Sequence, residues 1–217
     1  NYPQRYFASS CGALRTLSTI NANIAKNKAE YLGFEGVLGL LGKNKEQKYE
    51  GSYELVVKIL YRIVANKRKD MRAFYKTVMM SYLLKNGDAH LKNFGVFYDG
   101  DMDNIRYSPA YDIVNIAVYV FTDRPALSLL GKKLWFPRKQ LIKFAVDNCY
   151  ISEKNANIFY DECVETVKYF VVELRQYIAK NPAFKYKYIA KVIENLKRFK
   201  TKKISISSTI NYANKYK

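Results

Sequence analysis

A mainly α-helical domain carrying one small β-hairpin is the fold class that the sequence predicts, and three observations predict it. Apolar residues recur at helical spacing over most of the chain. One pair of short aromatic-rich runs is joined by the turn-rich DGDMDN, residues 99–104. No internal repeat or low-complexity linker breaks the pattern, and 217 residues at 49% hydrophobic composition suffice for one substantial core. One domain over residues 1–217 is therefore expected.

In chain order, a helix is expected around Leu14 to Lys26, followed by a glycine-rich stretch with no assigned structure. YELVVKILYRIV from Tyr53 has helical spacing. From Asp70, DMRAFYKTVMMSYLLKNG places Met71, Phe74, Tyr75, Val78, Met79, Tyr82 and Leu83 on one buried face, with Asp70 as the cap and Gly87 as the stop. Its methionine pair reads as core filling. NFGVFYDG and NIRYSPAYDI form the two hairpin strands. A helix follows from Arg138, and a long one opens at the capping residue Ser152 and breaks at Asn181-Pro182. A last helix is expected from Tyr186 to Lys200.

The formal charge is +18, which invites acidic partners such as nucleic acid, a tRNA-loaded enzyme or nucleotide phosphates. The competing reading is a solvated surface, because the lysines are spread along the whole chain; the densest cluster is KRFKTKK, Lys197 to Lys203. The longest apolar run, Ile113 to Phe121, is far short of the roughly 18 residues of a membrane span. Cys11, Cys149 and Cys163 are odd in number and show no metal-ligand spacing, which points to a reducing cytoplasm. The start, NYPQRYF, has neither an initiating Met nor the features of a signal peptide and reads as the cut end of a fragment.

Two motifs fail on chemistry. DGDMDN alternates aspartates as a calcium loop does, but such a loop needs Gly sixth and Glu twelfth, where this chain has Asn104 and Ala110. GLLGKNK, Gly39 to Lys45, lacks both the glycine spacing and the Ser or Thr of a phosphate loop and reads as a loop after a helix. A lone histidine, His90, argues against a hydrolytic triad or a catalytic zinc.

KNGDAHLKNFGVFYDG, Lys85 to Gly100, is different in kind. Asp88 precedes Asn93 by five positions, and Asp112 follows in YSPAYDIV at the end of the second hairpin strand. Phosphoryl transfer from ATP asks for this set: one Asp to take the proton of the substrate hydroxyl, then an Asn and an Asp whose oxygens hold magnesium against the phosphates. Magnesium prefers oxygen donors and keeps several waters, so one carboxylate and one amide suffice. The structural alternatives are a capped loop closing the Asp70 helix for Asp88 and Asn93, and a helix N-cap for Asp112.

NGDAHLKNFGVFYD with YSPAYDIV closely resembles the signature of the HipA family, bacterial serine/threonine kinases that are the toxins of toxin–antitoxin pairs. QKYEG near Gln47 is a weaker echo of a family segment. The resemblance implies the helical C-lobe of a protein-kinase-like fold with the hairpin at its active site. It implies Asp88 as catalytic base, Asn93 and Asp112 as magnesium ligands, and His90, Leu91, Lys92, Asn93, Tyr111 and Asp112 toward ATP. Lys92 would meet a phosphate or pair with Asp88, and His90 would orient phosphates. The implied partners are a protein substrate phosphorylated on serine, in the family an aminoacyl-tRNA synthetase, and a helix-turn-helix antitoxin that contacts operator DNA. A family member also carries an N-terminal lobe with a phosphate loop and a strand lysine, neither of which is found in these residues. The chain alone is expected to bind ATP weakly and to transfer no phosphate. The alternatives are a non-catalytic basic binding module for nucleic acid or antitoxin, and a pseudokinase.

Overall fold

The computed structural model describes residues 32–100, 102, 104–115 and 123–181. The helices expected around Leu14 to Lys26 and Tyr186 to Lys200, the KRFKTKK cluster and Cys11 lie outside them. The elements are β1 (Gly33–Gly36), a short helical turn α1 (Val37–Leu40), a 3-10 turn (Lys45–Tyr49), α2 (Tyr53–Ile63), α3 (Lys67–Leu84), a second 3-10 turn (Leu91–Asn93), β2 (Gly95–Tyr98), β3 (Arg106–Tyr107), α4 (Arg138–Asp147) and α5 (Glu153–Lys180). The fold is mostly helical, as expected. Among the described residues no helix is long and apolar enough to cross a membrane.

The hairpin is part of a three-stranded antiparallel sheet ordered β1-β2-β3. Val96 pairs with Tyr107 and Phe97 with Arg106, while β1 adds Gly33 opposite Tyr98 and Gly36 opposite Gly95. β1 gave no sequence signal because its GFEG has no alternation of apolar and polar residues; it is held by backbone pairing. Gly95 permits that approach, since a Cβ there would stand 2.5 Å from the Phe34 ring and 2.8 Å from the Glu35 carbonyl oxygen.

α2 starts where Ser52 accepts from the Leu55 N–H at 3.2 Å and buries Tyr53, Val56, Val57 and Leu60. α3 departs from expectation at both ends. It begins at Lys67, with Asn66 accepting from the Lys69 N–H at 3.0 Å; the charged first turn, Lys67 to Lys69, lies outside the apolar pattern and so was invisible to it. Asp70 is not the cap. It is buried, and its Oδ1 accepts from the Tyr107 N–H at 3.3 Å, tying the helix to β3. The helix ends at Lys85, which adopts the left-handed conformation (φ 55°), and not at Gly87.

The seven apolar residues expected on one face of α3 are all buried, and Thr77, Met80, Ser81 and Leu84 are buried with them. α3 is thus a central helix enclosed on most sides. Thr77 and Ser81 tolerate burial because their hydroxyls donate to the carbonyls of Ala73 and Thr77, at 3.1 and 3.0 Å. Phe74 meets Phe94 and Tyr107 edge-on with centroids 5.6 and 5.7 Å apart, which fastens the sheet to the helix.

α5 opens at Ser152, as expected, and packs Ala156, Cys163, Val167, Phe170 and Val171 toward the core against α3 and α4. Its polar side is pinned by Glu162, which pairs with Lys76 and Arg72 of α3, and by Asp161, which receives both guanidinium nitrogens of Arg138 at 2.6 and 3.0 Å.

Burial raises the pKa of Asp70 above its ordinary 3.8, the largest influence, and the Tyr107 N–H only partly opposes it. An acid with a raised folded pKa keeps its proton longer in the folded state, so stability is full below about pH 4 and falls as pH rises through the folded value. Asp70→Asn, which keeps an acceptor for Tyr107, is expected to raise the urea midpoint at pH 7. The advantage should vanish below about pH 4, which parallel urea titrations at the two pH values will check.

Candidate active site

The site is assembled where α3 ends. After the left-handed Lys85 the chain turns through Asn86, whose buried side chain works in two directions. Its Oδ1 accepts from the Asp88 N–H at 3.2 Å, and its Nδ2 donates to the Asp112 carbonyl at 3.3 Å. Gly87 sits between them with its α-carbon face turned to Asp123, so close that a Cβ would lie 1.9 Å from the Asp123 carboxylate. A second turn follows, in which the His90 N–H reaches the Asp88 carbonyl at 2.8 Å and the Asn93 N–H reaches the His90 carbonyl at 2.9 Å.

Asn93 is 5% exposed. Its Oδ1 accepts from the His90 N–H at 3.0 Å, and its Nδ2 donates to Asp112 Oδ2 at 3.1 Å. Asn93 and Asp112, expected together from the sequence, are therefore in direct contact. Asp112 is not at the end of the second hairpin strand, which stops at Tyr107. It lies beyond it in a non-helical loop with φ 55°, and no helix begins at residues 112–115, so the N-cap alternative fails. A left-handed aspartate is an uncommon conformer, tolerated because Asp can occupy this region at lower cost than bulkier residues.

Asp88 is 40% exposed on its side chain and presents its carboxylate outward. Its Oδ1 accepts from the Tyr49 hydroxyl at 2.7 Å and lies 4.0 Å from His90 Nε2. His90 is buried, and burial lowers its pKa below 6.5 against the smaller raising effect of Asp88, which keeps the ring neutral at pH 7. Its Nδ1 is buried without a hydrogen-bond partner. The tyrosine ring of residue 49 stands edge-on to His90 at 5.3 Å.

The remaining expected residues are placed as follows. Lys92 is exposed and, among the described residues, makes no ion pair with Asp88; its backbone carbonyl accepts from the Tyr111 hydroxyl. Tyr111 is half-buried, and burial followed by the neighbouring Asp112 pushes its pKa up to about 12, so it stays a donor. Leu91 has no exposed surface and rests against Gly51, so it is a core residue and is not presented to a ligand.

Three contributors were not singled out from the sequence. Asn86 lay inside the quoted stretch, but only its bond to Asp112, across 26 residues, reveals its function. Tyr49 belongs to the QKYEG segment and is separated from Asp88 by 39 residues, beyond the reach of any spacing rule. Asp123 is held above its ordinary pKa by burial, with a further push from Asp88.

Neither rejected motif reverses. GLLGKNK runs from α1 into a loop where Asn44 caps the first 3-10 turn by accepting from the Gln47 N–H at 3.2 Å. In DGDMDN, Asn104 Nδ2 donates to Asp99 Oδ2 at 2.8 Å, while Asp101 and Asp103 lie outside the described residues.

A family model described as the HipA-like C-terminal domain matches residues 20–170. A curated Haemophilus influenzae protein named "Putative kinase" is 31% identical over 81 residues, covering 37% of this chain and 23% of that protein. "Putative kinase Y4dM" of Sinorhizobium fredii is 30% identical over 139 residues, covering 63% of this chain and 32% of that protein. The chain thus spans about a third or less of the length of the curated relatives it matches. Among solved structures, it is similar to a chain of the complex of HipA, HipB and operator DNA from a toxin–antitoxin system of Shewanella oneidensis MR-1. The TM-score is 0.54 at 17% identity, over 85% of this chain and 42% of that one. At that identity the likeness is one of fold.

Asn93→Ala takes from the His90 N–H one of its two acceptors, leaving the Asp88 carbonyl, and removes the donor that Asn93 Nδ2 gives to Asp112. The expected cost is about 1–3 kcal/mol, read as a lower urea midpoint at unchanged m-value.

Proposed function

This chain belongs to the HipA-like C-terminal domain family, and from that premise we propose that it forms the helical catalytic lobe of an ATP-dependent serine/threonine protein kinase. The observation that carries the reading is the convergence of Asp88, Asn93 and Asp112 at the end of α3, with Asn93 Nδ2 3.1 Å from Asp112 Oδ2.

The donor set suits magnesium. Asn93 and Asp112 carry hard oxygen atoms on side chains that touch through Asn93 Nδ2, with Asp112 Oδ1 outside that hydrogen bond and one lone pair of Asn93 Oδ1 not used by His90. Asn93 and Asp112 would hold the ion, which when bound neutralises the charge on the nucleotide phosphates. Lys92, exposed beside them, is available to a phosphate as a point charge. His90, neutral and buried, serves as a wall of the site and not as a proton donor or acceptor of the reaction.

Asp88 acts as the base. Its half-exposed carboxylate receives the proton of a substrate serine hydroxyl as that oxygen bonds to the γ-phosphorus and ADP departs with the electron pair of the bridging bond. The acid is carried on a turn clamped by Asn86 and Asn93, which supplies the positioning on which this reaction depends. A helix-turn-helix antitoxin is the proposed regulatory partner, in keeping with the family.

A second reading, a basic module that binds nucleic acid, is favoured by the net charge of +18. It predicts that affinity for duplex DNA, followed by fluorescence anisotropy, falls steeply with added salt. Absence of binding at low salt removes its support.

The kinase reading is checked with radiolabelled ATP on the intact protein, following label onto itself and onto myelin basic protein. Asp88→Gln is expected to lower transfer by about 10²–10⁴-fold, and Asp112→Asn to abolish the dependence on magnesium together with most of the rate. Undiminished transfer by both variants overturns the proposal.

A further inference from the structure

Resting on the kinase reading, we propose that Tyr49 is the positioning residue of the Asp88 base: its hydroxyl fixes one carboxylate oxygen so that the other is presented to the substrate hydroxyl.

The geometry of the carboxylate carries the inference. Among the described residues, the two side-chain contacts of the Asp88 carboxylate converge on one atom. Oδ1 receives the Tyr49 hydroxyl at 2.7 Å, and His90 Nε2 stands 4.0 Å from the same oxygen. Oδ2 takes part in neither. A carboxylate on a turn can rotate about its terminal torsion, a broad and soft coordinate. A charge-assisted O–H···O⁻ bond at this distance is strong and directional enough to hold it. The backbone of Asp88 is already held by Asn86, so the Tyr49 bond acts on the two side-chain torsions that remain.

Tyr49 is itself supported from three sides, although the residue is 41% exposed. It ends the 3-10 turn that Asn44 caps, and its carbonyl accepts from Lys133 Nζ at 3.0 Å. Its ring is edge-on to His90, and the Lys48 ammonium lies 4.6 Å from the ring centroid. The Lys48 pKa is raised, first by Tyr49 and then, against a lowering by desolvation, by Asp88 and Asp112, so the segment brings a cation toward the acidic side of the site as well as a hydroxyl donor. Nothing in the local chain requires this contact, because 39 residues separate donor and acceptor.

The test compares wild type, Tyr49→Phe and Asp88→Asn of the intact protein in the transfer assay with myelin basic protein, with kcat and KM for ATP resolved separately. Tyr49→Phe keeps the ring against His90 and below Lys48 and removes only the hydroxyl. The expected result is a fall in kcat of about 10–100-fold with KM for ATP and the melting temperature unchanged. A tyrosine with a merely structural role would lower the melting temperature or raise KM and spare kcat. If Asp88→Asn is inactive while Tyr49→Phe keeps the wild-type kcat, the positioning role is overturned and the kinase reading stands. If Asp88→Asn transfers as fast as wild type, the base assignment falls and this inference falls with it.

Discussion

The two-ended side chain of Asn93 is the constraint on which the site depends. One end accepts the N–H of His90 and closes the turn after α3; the other donates to Asp112 and draws in the loop beyond β3. The two segments are 19 residues apart in sequence and joined by a hairpin that does not itself position either carboxylate. A primary amide both donates and accepts along fixed planar directions from one short side chain, so this bridge suits Asn and has no apolar substitute. Asn93 itself is 5% exposed, so its bond to the His90 N–H is screened from competing water, while its bond to the exposed Asp112 is only partly so.

The scaffold beneath it is stiff for identifiable reasons. α3 is enclosed on most sides, its buried Thr77 and Ser81 hydroxyls bond within the helix, and the Tyr75 hydroxyl donates to the Ala156 carbonyl of α5. The aromatic contacts of Phe74 with Phe94 and Tyr107 attach the sheet that follows the site to the helix that precedes it. Uncommon backbone conformations gather at its upper edge, with positive φ at Lys85 and at Asp112. Such conformers persist only where surrounding contacts over-determine them, and here those contacts are the Asn86 and Asn93 hydrogen bonds. Asp88 is held through its backbone N–H by Asn86, yet its side chain stays 40% exposed, and Asp112 is exposed as well, so both carboxylates are open to solvent on a fixed backbone.

Much of this was legible in the sequence because the signals are local. Ser152 caps its helix as read, the long helix stops before Pro182, and the apolar spacing from Met71 to Leu83 names buried residues correctly. The failures have physical causes. The Lys67–Lys69 turn has no apolar residue to betray it, GFEG has a single aromatic between glycines and no alternating pattern, and Asp70 looks like a cap because aspartates usually are caps when they precede an apolar run. In the site, Asp88, Asn93 and Asp112 were found because their spacing has chemical meaning. Asn86 and Tyr49 were not, since their functions rest on contacts across 26 and 39 residues.

The central claim is that Asn93 and Asp112 form one cation-dependent nucleotide site at the end of α3. Manganese, a paramagnetic stand-in for magnesium, tests it directly when added substoichiometrically with ATP to the isotope-labelled chain and followed by amide NMR. The account predicts that the signals of His90 to Phe94 and of Tyr111 to Ile113 broaden first, and that those of α5 around Val167 survive. Broadening centred on the acidic turn at Asp99 to Asn104, or spread evenly over the surface carboxylates, would contradict it.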